Sequence, residues 1–67
     1  MMNNLNDFRT ALNSLWTDVV MTRSTFNNSY LPLSAVDRVE FNDDFRELAE
    51  GIEKMLFKVE DLQKGAK

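Results

Sequence analysis

The chain has 67 residues, no cysteine, no histidine and a net charge of −3. That length holds one domain, and a core this small is marginal without disulfides, a metal or a second chain. The missing residues exclude disulfides, thiolate metal sites and the commonest transition-metal ligand, while the acidic balance argues against nucleic-acid backbone binding, which needs clustered Lys and Arg.

The opening, MMNNLNDFR, lacks the positive region and apolar run of a secretory signal. No run of about 18 apolar residues marks a membrane span, and absent cysteine suits a reducing compartment. A cytoplasmic location is the expectation. From there Leu5, Phe8, Leu12, Leu15, Val19, Thr22 and Phe26 recur by threes and fours, the rhythm of a helix packed along its length. This predicts a first helix over about residues 4–28.

The stretch NNSYLPLS breaks the pattern. Asn27, Asn28 and Ser29 are poor helix-interior residues, and Pro32 biases Leu31 away from helical backbone. A turn over about 29–34 follows, with Tyr30 and Leu31 expected to close it over Phe26 and Val36. Ser34 and Asp37 have capping-box spacing, so the second helix is expected over about 35–64. Its stripe is Phe41, Phe45, Leu48, Ile52, Met55, Val59 and Leu62. Val36 and Val39 are out of phase with it, and Asn42, Asp43 and Asp44 offer a local cap, so a kink near 40–43, or a short third helix around 36–41, competes with one continuous helix.

A short connection favours antiparallel neighbours. Thr22 falls opposite Phe41, Leu15 opposite Leu48, Leu12 opposite Ile52, Leu5 opposite Val59 and Met1 opposite Leu62. The expected fold is all-α: a single antiparallel helical hairpin over residues 1–67, in which Met55 belongs to the seam and Leu56 to a flank. Beside the seam lie Ala11, Trp16, Val20 and Met21 on one helix and Ala49, Leu56 and Phe57 on the other. Two hairpins laid together would bury these ridges in a four-helix bundle, with Leu12, Trp16, Val20, Ala49 and Leu56 as the dimer interface. Phe57 points away from both surfaces. Gly51, set near Ala11, is either a close helix crossing or a tolerated glycine costing about 1 kcal/mol. The first helix is poor in charge, which would make it the contact side.

Asp43, Asp44, Glu47 and Glu50, together with Phe57, form a candidate partner surface. A plainer reading sets acidic residues early in the helix and Lys54, Lys58, Lys64 and Lys67 late, as the helix dipole favours, with Arg46–Glu50 and Glu50–Lys54 pairing locally. The calcium-loop pattern, the Glu-x-x-His of di-iron bundles and a phosphate-binding glycine loop are all absent. No catalysis and no cofactor are expected.

The expected shape is similar to that of plasmid copy-number regulators of the Rop type, small secretion chaperones and type III secretion needle subunits. The last typically carry a paired-proline turn, whereas Pro32 is single here, and shape does not fix function. The functional expectation is a non-catalytic, protein-binding regulator, inhibitor or chaperone-like adaptor. It would act as a helical-bundle homodimer on a protein target, in the manner of accessory proteins of phages or mobile elements. The alternatives are a structural subunit of a virion, filament or secretion apparatus, and an acidic mimic of nucleic acid.

Overall fold

A computed structural model describes residues 4–65. Two helices, α1 (Leu5–Asn27) and α2 (Ala35–Gly65), form an antiparallel hairpin with extents of 52 × 19 × 14 Å. The described residues are all-helical, with two helices and no strand, consistent with the expected helical hairpin. The expected places of Met1 and Lys67 lie outside the described residues.

Local chemistry sets the ends of both helices. Asn4 is extended, and its side-chain oxygen accepts from the Asp7 amide at 2.8 Å, satisfying one of the otherwise orphaned N–H groups of the first turn. At the other end of α1 the Ser29 hydroxyl donates to the Thr25 carbonyl and the Asn28 amide side chain to that of Ser24, so side chains take over from the backbone ladder and the helix stops. The Asp37 amide then donates to Ser34 Oγ at 3.1 Å, the expected cap of α2.

Helix α2 runs unbroken from Ala35 to Gly65. The kink, local cap and separate third helix considered for 36–44 do not occur: Asn42 Nδ2 donates back to the Arg38 carbonyl at 3.0 Å within the continuous helix, and the same side chain also bonds across the hairpin. Arg23 Nε donates to Asn42 Oδ1 at 3.0 Å, and Asn42 Nδ2 donates to Asn27 Oδ1 at 2.8 Å.

The hairpin seam coincides only in part with the one that bulk apolar periodicity selects. Leu12, Ile52 and Val59 are the buried core among the described residues, and Leu5, Phe8, Trp16, Val19 and Leu56 pack against it. Leu15, Leu48, Met55 and Leu62, assigned to the seam from the sequence, are 48%, 56%, 41% and 51% exposed. On α2 the covered positions Arg38, Asn42, Phe45, Ala49, Ile52, Leu56, Val59 and Gln63 form a heptad stripe rotated to one side of the expected one, with Gly51 and Glu60 also half-buried beside it. The register is shifted as well. Trp16 meets Glu53 and Arg9 meets Glu60, whereas the expected alignment sets Trp16 near Leu48 and Arg9 near Met55.

The turn also closes differently. Tyr30 is fully exposed, and Leu31 and Val36 are also exposed. Arg38 covers Phe26 instead, its guanidinium 5.6 Å from the ring centroid and donating to the Ser29 carbonyl at 2.8 Å. The Phe26 ring packs against Phe41 and Phe45, each at 5.7 Å between centroids.

Candidate interaction surface

Adjacent residues on a helix lie about 100° apart, so Leu15 and Trp16 flank the seam of α1 on opposite sides, as Met55 and Leu56 do on α2. This divides the hairpin into two dissimilar faces.

One face is closed by polar contacts. Trp16 Nε1 donates to Glu53 Oε2 at 3.0 Å, and Arg9 pairs with Glu60 at 3.4 Å. Four of the five residues expected to form the dimer interface also make contacts within the hairpin. Leu12 is buried, Trp16 and Leu56 pack on the core, and Ala49 is half-buried. Only Val20, at 40% exposure, remains outward. The physical reason is the rotated seam: Trp16, Ala49 and Leu56, expected on the flank, line the hairpin, while Leu12 stays in the seam where it was expected.

The other face is an open apolar groove. Leu15 and Val19 line it from α1, and Leu48, Gly51, Ile52 and Met55 from α2, with Asp44 and Glu47 on its rim. Phe41, Leu48, Met55 and Leu62 recur at strict seven-residue intervals along α2 and are all exposed. Seven-residue spacing keeps side chains on one stripe of a helix, so these four form a continuous ridge about 32 Å long at 1.5 Å per residue. Phe26 packs on Phe41 at one end, and each of the four stays about half exposed. Sequence periodicity detected this ridge but assigned it to the inside of the hairpin.

Gly51 sits in the groove. A Cβ built there meets nothing within 4 Å, so no close approach of α1 requires a glycine; of the two alternatives for Gly51, the tolerated glycine fits the single hairpin and the close crossing near Ala11 does not. Phe57 is 66% exposed, as expected of the residue left over.

The acidic candidates behave individually. Asp43 accepts from Arg46 at 2.9 Å, in place of the expected Arg46–Glu50 pair. Asp44 and Glu47 border the groove, and Lys54 and Lys58 follow further along the same helix; among the described residues none of the four makes an ion pair. Glu50 is exposed outside the groove. α2 supplies most of the groove lining, while on the outer surface of the charge-poor α1 the Thr10 and Thr17 hydroxyls donate to carbonyls four residues earlier in their own helix.

Among the described residues no group of three or more carboxylates gathers as a cation site, and no helix is long and apolar enough to cross a membrane. No family model, curated protein or solved structure matches this chain.

Proposed function

We propose that this chain is a non-catalytic protein-binding module, a small regulator, inhibitor or chaperone-like adaptor, and that it works as a helical-bundle homo-oligomer joined through the groove of α2. The observation that carries this reading is the exposed ridge Phe41–Leu48–Met55–Leu62 beside Leu15. Monomeric proteins rarely leave a contiguous apolar surface of this extent in water. Covering a large apolar side chain is worth about 1.5–3 kcal/mol, which matters to a hairpin with so small a buried core. Two grooves laid face to face would give a four-helix bundle.

Sedimentation of the chain across a wide concentration range tests the reading. The expected result is a reversible closed dimer, abolished in a Leu48→Glu, Met55→Glu variant that keeps its helical circular dichroism. A folded monomer at every concentration would overturn it. Assembly that continues to grow with concentration would favour the filament-subunit alternative, for which the outward Val36, Val39 and Phe57 provide further apolar surface.

A further inference from the structure

The groove has an internal symmetry that names its occupant. Reading α2 along the ridge, large apolar residues alternate with a second set at three- and four-residue steps: Phe41, Asp44, Leu48, Gly51, Met55, Lys58, Leu62. This is a complete heptad seam whose alternate layer holds an acid, a glycine and a base. Gly51 stands at its middle. Phe41 and Leu48 precede it at nearly the distances at which Leu62 and Met55 follow it, and Asp44 precedes it by seven residues as Lys58 follows it by seven.

We infer that the occupant of the groove is the same groove of a second copy, with the two α2 helices antiparallel about a two-fold axis passing beside Gly51. This rests on the self-association reading above and specifies its geometry. In that arrangement Gly51 faces its own counterpart, Leu48 packs on Met55 and Phe41 on Leu62, each contact occurring twice as a two-fold interface requires. Asp44 of each copy meets Lys58 of the other, and Glu47 lies near Lys54. In a parallel arrangement Asp44 would face Asp44 and Lys58 would face Lys58, so charge selects the antiparallel one. Among the described residues these four charges form no ion pair, leaving them open to a partner. Gly51, which nothing in the hairpin requires, then acquires a purpose: without a side chain at the axis, the two helices can approach closely enough for the flanking apolar residues to interdigitate. The dimensions suit a modest dimer. A ridge of this length on a molecule 19 Å wide presents roughly 600 Å² in projection, near the roughly 800 Å² per partner of a standard stable interface.

The chain has no native cysteine, so single introduced thiols report the geometry directly. Under mild oxidation Gly51→Cys is expected to link to itself. Asp44→Cys and Lys58→Cys are expected to form the mixed dimer when combined and little when separate, and Phe57→Cys is expected to remain unlinked. In sedimentation, Asp44→Lys or Lys58→Asp alone should weaken the dimer roughly tenfold or more, and the double exchange should restore it to within a few-fold. Helical circular dichroism of each variant separates lost association from lost folding. Self-linkage of Asp44→Cys, or a double exchange that fails to restore a dimer, would overturn the antiparallel axis while leaving self-association through the groove intact. A folded native chain that stays monomeric throughout would overturn both.

Discussion

The Trp16 indole donates to the Glu53 carboxylate at 3.0 Å, joining two residues 37 apart in sequence. With the Arg9–Glu60 pair it closes the face of the hairpin opposite the groove, so one side is finished by polar contacts and the other ends in exposed leucine and methionine.

Trp16→Phe should therefore keep the apolar packing and lose one partly solvated hydrogen bond, costing about 0.5–1 kcal/mol. Trp16→Glu removes the packing and sets a carboxylate beside Glu53, and should lower stability by about 2 kcal/mol or more. Denaturant unfolding followed by far-ultraviolet circular dichroism measures both. Equal stability of Trp16→Glu and the native chain would show that this side chain does not hold the helices together.

Met55 and Leu56 are neighbours with opposite roles. Leu56 packs against the Leu12–Ile52–Val59 core, while Met55 is 41% exposed in the groove. At concentrations low enough to keep the chain monomeric, Leu56→Ala should cost about 2 kcal/mol or more. Met55→Ala should cost under about 1 kcal/mol. Chemical denaturation of the two variants side by side checks the ranking, and a reversed order would restore the seam that apolar periodicity alone selects.

That periodicity shows how far the sequence could be read. Both helices, the turn, the Ser34 cap and the antiparallel fold follow from local signals that act within a few residues. The seam does not, because α2 carries two overlapping heptad stripes that share Phe45, Ile52 and Val59. One adds Phe41, Leu48, Met55 and Leu62; the other adds Arg38, Asn42, Ala49 and Leu56. Counting apolar bulk favours the first. The structure uses the second, since Asn42 bonds Arg23 and Asn27 and Arg38 bonds the Ser29 carbonyl. Such pairings are invisible to a hydrophobic pattern. The groove was consequently legible as a set of residues, but assigned to the wrong side of the chain.

Asn42 should thus specify register more than it adds stability, as single polar residues do at coiled-coil seams. Asn42→Leu makes both stripes apolar at this level. The expected outcome is a chain that stays helical but samples more than one register, seen as doubled or broadened amide resonances where the native protein gives one set. A single sharp set for the variant, with the native Trp16–Glu53 proximity retained, would assign register to other contacts.

Arg38 ties the turn to α2 through the Ser29 carbonyl and the face of Phe26. Lysine keeps the charge but not the planar fork. Arg38→Ala should cost about 1–2 kcal/mol and speed proteolytic nicking between residues 29 and 33, with Arg38→Lys intermediate. Cleavage rates at this loop that did not change in Arg38→Ala would remove Arg38 from the closure of the turn.

Gly51 separates the needs of the single hairpin from those of the pair. Within one chain a Cβ at this position meets nothing within 4 Å, and alanine is favoured over glycine in a helix interior by about 0.8–1 kcal/mol. Gly51→Ala should therefore raise the stability of the dilute, monomeric hairpin by roughly that amount. If two copies of α2 meet here, the added methyl pair lies on the axis and holds the helices apart, so the same substitution should weaken the dimer. Thermal unfolding at low concentration and sedimentation at high concentration should move in opposite directions. A variant more stable in both measurements would show that the missing side chain serves no contact between chains.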